Sequence, residues 1–106
     1  METLHYRFEH GALTVPPSPQ GVLVGVVGSG NLEVLIEAAS LDGACAIEVR
    51  TAAVGFGATW QAVLEDFQRR WQLLDARIAI NDMGATPAVV SLRLDQAVQT
   101  LLEAQR

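Results

Sequence analysis

Hydrophobic and polar positions trade places along this chain with two different periods, and the change of period marks out its elements. Residues 3–9 alternate, with Leu4, Tyr6 and Phe8 set against His5, Arg7 and Glu9. That is the period-two pattern of a half-buried strand. Pro16, Pro17 and Pro19, with Gly11 and Ser18, mark a loop over about residues 10–20, because proline gives a sheet ladder no donor. Val22 to Val27 is apolar on both faces and reads as a central strand. Beyond Gly28-Ser29-Gly30, Leu32, Val34 and Ile36 alternate with Glu33 and Glu37, so 22–37 reads as a hairpin. After an Asp42-Gly43 turn, Cys45, Ile47, Val49 and Thr51 alternate with Ala46, Glu48 and Arg50.

The period then lengthens. Trp60, Val63, Leu64, Phe67 and Trp71 form one stripe of a helix, with Thr59 as its expected N-cap. Arg69 and Arg70 fall near its end, where cations suit the helix dipole. Residues 77–81 return to alternation through Ile78 and Ile80. Thr86-Pro87 then combines a capping hydroxyl with proline at a first helical position. Val90, Leu94, Val98 and Leu101 complete a second stripe, although Val90, Leu92 and Leu94 also fit a strand over its first turns. The expected order is β-β-β-β-α-β-α. The fold class is α+β: a mostly antiparallel sheet of about five strands with both helices on one face. A length of 106 residues suits one compact domain spanning 1–106.

Composition narrows the chemistry more than the fold. Half the residues are hydrophobic and 18% are charged, a globular balance. All seven cations are Arg, so no phosphate-loop lysine, Schiff base or lysine general base exists. The single Cys45 excludes an intrachain disulfide and a cysteine-rich metal site. His5 and Cys45 are the obvious catalytic candidates, but they read as a surface histidine and a small buried hydrophobe. Trp60 and Trp71 read as core. The expectation is no catalytic residue and no metal ligand on this chain. A formal net charge of −5 argues against nucleic acid and anionic lipid as partners. With no signal peptide and no apolar run long enough to span a bilayer, the expected location is cytoplasmic.

Two segments carry what chemistry remains. Gly28-Ser29-Gly30 sets a hydroxyl between two glycines at the expected hairpin tip. The structural reading is a tight turn that tolerates serine. Three functional readings stand beside it. A nucleophilic serine needs a base, and no His is near in sequence. A backbone phosphate cradle needs a following helix or nest, and 32–37 reads as strand. A site of covalent attachment needs only an approachable hydroxyl, because another enzyme makes the bond. The second segment, Asp82 to Pro87, reads either as sound loop chemistry or as a support for the Ser29 tip and its partners.

Together these segments resemble a known family. Val26-Val27-Gly28-Ser29-Gly30-Asn31-Leu32-Glu33-Val34-Leu35 is similar to the prosthetic-group site of malonate decarboxylase acyl carrier proteins, the delta subunits. Asn81-Asp82-Met83-Gly84-Ala85-Thr86-Pro87-Ala88-Val89-Val90, followed by Arg93-Leu94 and Gln96, resembles the second signature of that family. The opening Met1-Glu2-Thr3-Leu4 and the position of Trp60 fit as well. The acyl carrier protein of citrate lyase is a more distant relative. Asn31 stands where the family usually has Asp, and Asn81, Met83 and Ala88 replace the commoner His, Phe and Gly. The proline-rich stretch at 10–20 is longer than the family's.

The resemblance implies a carrier subunit, not a catalyst. By this likeness Ser29, flanked by Gly28 and Gly30, bears 2'-(5''-phosphoribosyl)-3'-dephospho-CoA through a phosphodiester. The arm's thiol carries acetyl and malonyl as thioesters. The implied partners are the transferase and decarboxylase subunits of malonate decarboxylase, a malonyl transferase, and the enzyme that attaches the arm. The acidic charge leads to an expectation of basic docking surfaces on those partners. The alternative reading is a small anion- or nucleotide-binding module that uses the Gly28-Ser29-Gly30 tip non-covalently. Arg77 and Arg93 are candidates, on charge alone, for meeting phosphates of the arm.

Overall fold

The computed structural model describes residues 1–15, the backbone of 22–24, and 32–103. The expected tip at Gly28-Ser29-Gly30-Asn31 and the prolines of the 10–20 loop lie outside the described residues. The strands are β1 (Glu2–Phe8), β2 (Leu13–Thr14), β3 (Val22–Val24), β4 (Leu32–Ala38), β5 (Cys45–Thr51), β6 (Leu73–Leu74) and β7 (Ala76–Asp82). The helices among the described residues are α1 (Gly57–Trp71), between β5 and β6, and α2 (Pro87–Glu103), after β7.

Five strands form one sheet in the order β1-β5-β7-β4-β3. Three of its pairings are antiparallel, and only β5 with β7 is parallel. The parallel pair follows from connectivity. Helix α1 carries the chain from the end of β5 back to the start of β7, and such a return needs a crossover. The β3–β4 register, Val22 opposite Ile36 and Val24 opposite Val34, is that of the expected hairpin.

Strand alternation decides which side chains enter the core. Leu32, Val34 and Ile36 of β4, Cys45, Ile47 and Val49 of β5, and Ala76, Ile78 and Ile80 of β7 are all buried. They meet Trp60, Leu64 and Phe67 of α1 and Val90, Leu94, Ala97, Val98 and Leu101 of α2 in one cluster. The period of the helical stripe prevailed over the alternating reading of 90–94, because α2 buries Val90 and Leu94 and leaves Leu92 exposed. The other sheet face carries His5, Arg7, Glu48 and Arg77, with Ala46 and Ala79 between them, and no helix covers it among the described residues.

Two details depart from the sequence reading. Thr59 does not cap α1; the helix starts at Gly57, its cap position is Phe56, and no side chain caps it. Within the 10–20 stretch, Leu13–Thr14 pairs in parallel with Leu73–Leu74 as a second small sheet. Ala12 and Leu13 donate backbone N–H groups to the Gln72 carbonyl at 2.7 and 2.8 Å. The approach is so close that a Cβ on Gly11 would run into the Leu73 carbonyl. Gln72 ends α1 in the left-handed region, at φ 52°, which turns the chain sharply into β6.

Candidate functional site

The end of the sheet where β4 begins and β7 ends gathers the polar chemistry of the second sequence segment. Leu32 faces Asp82 across the β4–β7 ladder, and Thr51 at the end of β5 faces Asp82 from the other side. Asp82 is only 3% exposed. Its Oδ2 accepts from the Thr51 hydroxyl at 2.8 Å, and its Oδ1 accepts from the backbone N–H of Ala85 at 2.8 Å and of Gly84 at 3.2 Å. Thr51 Oγ1 in turn accepts from Ala53 N–H at 3.1 Å. One carboxylate therefore holds both the β7–α2 loop and the first turn after β5.

That loop ends as the sequence leads one to expect. Thr86 Oγ1 accepts from Val89 N–H at 3.3 Å, a cap on α2 with Pro87 at the first helical position. Gly84 takes φ +112°, a conformation that residues with a Cβ rarely adopt.

Beside this carboxylate lies an apolar cleft of about 310 Å³ between the N-terminal ends of the two helices. Phe56, Trp60, Val63, Ala85, Pro87 and Val90 supply most of its wall. Phe56 is 52% exposed, and Val54 and Met83, each next in sequence to a wall residue, are also exposed. The sequence reading passed over this surface because 52–58 fits neither period. The signal was there in Val54 and Phe56, two large apolar residues set between glycines and alanines. The cleft can hold an apolar group. The wall has one carboxylate, and both of its oxygens already accept hydrogen bonds. It does not supply a free base.

The remaining candidates are scattered. His5 is exposed on the open sheet face, opposite Glu48. Cys45 is fully buried on the helix side, and burial pushes its thiol up to about 12. The sheet separates the two, so they form no catalytic pair. Trp60 is core and also cleft wall, whereas Trp71 is half-buried and donates Nε1–H to Asp95 at 2.8 Å. Arg70 grips the same carboxylate at 2.6 and 2.8 Å, which ties α1 to α2. Arg77 and Arg93 do not share a site. Arg77 is exposed on the open face of the sheet, and Arg93 is half-buried on α2, across the sheet from it. Among the described residues no group of three or more His, Cys, Asp or Glu is placed to hold a metal ion. No described helix is long and apolar enough to cross a membrane.

The family model of the malonate decarboxylase delta subunit (MdcD) matches residues 20–101. The malonate decarboxylase acyl carrier protein of Stenotrophomonas maltophilia (strain K279a) is 64% identical over 103 residues, covering 96% of this chain and 95% of that one. The protein of the same name from Xanthomonas euvesicatoria pv. vesicatoria is 61% identical over 101 residues, covering 95% of each chain. Among solved structures, a chain of a Pseudomonas malonate decarboxylase hetero-tetramer in complex with malonate superposes with a TM-score of 0.78 at 38% identity. The match covers 95% of this chain and 99% of that one. The family model spans most of the chain, the curated relatives match it along nearly their whole length and the fold superposes, so this chain belongs to the malonate decarboxylase delta-subunit family, whose members are acyl carriers rather than catalytic subunits.

Proposed function

We propose that this acyl carrier subunit bears a phosphoribosyl-dephospho-CoA arm on the Ser29 hydroxyl and carries acetyl and malonyl groups on it for the other subunits of a malonate decarboxylase. Family membership implies a covalently held prosthetic group. The identity of the arm and its anchor are our reading. The observation that carries it is the poverty of the rest of the chain. Cys45 is buried, His5 is exposed on the opposite face of the sheet and the Asp82 oxygens already accept hydrogen bonds, so these candidates assemble no nucleophile and base. A carrier needs one approachable hydroxyl between small neighbours, and Gly28-Ser29-Gly30 supplies that by composition.

The described residues fit such a group in two respects. Ser29 is three residues from Leu32, so covalent geometry keeps it within roughly 11 Å of that strand end whatever path the chain takes. That end of the sheet holds the apolar cleft and the Asp82 loop. When bound, the arm would supply a thioester, which stabilises the enolate left as carbon dioxide departs. The protein's own part is anchorage and docking. Asp82 fixes the β7–α2 loop, and exposed Phe56, Val54 and Met83 present apolar surface beside it for a partner subunit. The Pseudomonas hetero-tetramer is the precedent for such partners.

The test is the intact mass of the protein purified from cells grown on malonate. The expected result is an adduct of the arm's mass that disappears in Ser29→Ala. An adduct that persists in Ser29→Ala moves the anchor elsewhere. An unmodified wild-type protein that binds coenzyme A saturably, with the binding kept in Ser29→Ala, establishes the non-covalent module instead.

A further inference from the structure

Among the described residues, Arg93 is the one arginine that is half-buried and has no carboxylate within 4.0 Å. Arg7, Arg50, Arg69 and Arg70 each lie within 4.0 Å of a carboxylate. Of the other described cations, Arg77 is exposed on the open face and needs only water, while Arg93 is half-buried. Its Nε is buried without a hydrogen-bond partner, and among the described residues its guanidinium makes only a long bond, 3.4 Å, to Gln96 Oε1. All 12 Asp and Glu side chains of the sequence lie among the described residues. No Asp or Glu in the rest of the chain can therefore supply the missing charge. A half-buried guanidinium with an idle donor is costly unless an anion reaches it, because its fork is built for bidentate oxygen acceptors.

Its position restricts where that anion comes from. Asp95, which faces α1 through Arg70 and Trp71, is about 160° from Arg93 around the helix. Arg93 thus lies on the flank of α2 turned away from α1, where the helix packs over β4 and β3. Those are the two strands that the Ser29 segment connects. Helix side chains also lean toward the helix N-terminus, here the end that follows Asp82 and its partner Leu32.

We infer that Arg93 receives a phosphate of the Ser29-linked arm, so that loading supplies the anion that no described residue gives it. The inference rests on the carrier reading above and assigns Arg93 a positioning role. It holds the start of the arm against α2 and takes no part in the acyl chemistry. Gln96 steadies one side of the guanidinium and leaves Nε for the ligand.

The test compares thermal stability of the loaded and unloaded protein, each prepared with and without the loading enzyme and checked by intact mass. In the wild type, loading is expected to raise Tm by about 4–8 °C at low salt, and the gain shrinks as salt rises. In Arg93→Gln the adduct still forms, but the gain is lost. In Arg77→Gln, the exposed control, the gain is kept. Arg93→Lys, which retains charge without the fork, keeps at most half of the gain and serves if the Gln variant does not fold. A gain that survives in Arg93→Gln, or no gain in loaded wild type, overturns the inference while the carrier reading stands. Absence of any adduct on the wild type overturns both.

Discussion

Asp82 gives the most demanding check of how this site is built, because one buried carboxylate holds three connections at once. Replacing it with alanine removes a charge-assisted bond from the Thr51 hydroxyl and two bonds from backbone N–H groups. The first is worth about 1.5–3 kcal/mol, being buried and made to an ion. The N–H groups of Gly84 and Ala85 are only partly buried, so water replaces much of what they lose, at roughly 0.5 kcal/mol each. The expected cost of Asp82→Ala is about 3 kcal/mol, or a fall of roughly 12–15 °C in Tm for a chain of this size. Asp82→Asn keeps the acceptor toward Gly84 and Ala85 and sets an amide against Thr51, so it should cost only about 1 kcal/mol. Urea unfolding at neutral pH measures both, with an unchanged m-value as the sign that the same surface unfolds. A cycle with Thr51→Val should return a coupling of at least about 1 kcal/mol, because the two side chains touch. If Asp82→Ala costs under about 1 kcal/mol and the cycle shows no coupling, the carboxylate does not hold the loop. The account of this end of the sheet then fails.

Two further predictions concern groups elsewhere in the fold. Cys45 should resist a thiol-specific reagent at mildly alkaline pH in the native protein and react at once in denaturant, since it is fully buried with its thiol pushed up to about 12; rapid native labelling would contradict the packing of β5. Asp75 accepts from Gly43 N–H at 2.9 Å and Leu41 N–H at 3.1 Å, which lowers its pKa below the usual carboxylate value. Its folded pKa is the depressed one, so the stability it contributes is complete above the unfolded value and is lost as pH falls through the folded value. Unfolding curves between about pH 5 and pH 2 should therefore lose part of their slope in Asp75→Asn, and an unaltered slope would remove Asp75 from the acid response.

The strands and helices were legible because local pattern decides them. Leu32, Val34 and Ile36 are buried with Glu33 between them whichever strands flank β4, and the 3.6-residue stripe of Trp60, Leu64 and Phe67 buries itself against any apolar sheet. Thr86-Pro87 starts a helix by chemistry confined to one turn. Where local signals competed, packing chose. Thr59 is a good cap, but the helix runs back to Gly57, where the Tyr6 hydroxyl donates to the Gly57 carbonyl at 2.9 Å from the neighbouring sheet. The pairing of Leu13–Thr14 with Leu73–Leu74 had no sequence signal at all, since two residues are too few to show a period.

The thin chemical inventory was fixed by the sequence alone: no lysine, one cysteine, and a serine between glycines. It excluded lysine-dependent chemistry, an intrachain disulfide and a cysteine-rich metal site before any fold was considered, because a functional group that is not encoded cannot be supplied by folding. Only the tertiary structure decided how the rest is divided. It put β5 beside β7 and set Asp82 between Thr51 and the α2 cap. It separated Arg77 from Arg93, although both looked alike as candidate phosphate partners, and left Arg93, of the two, half-buried with no counter-ion among the described residues. The physical reason is that burial and neighbouring charge belong to places in the fold, where residues distant in sequence meet, and a side chain's identity does not carry them.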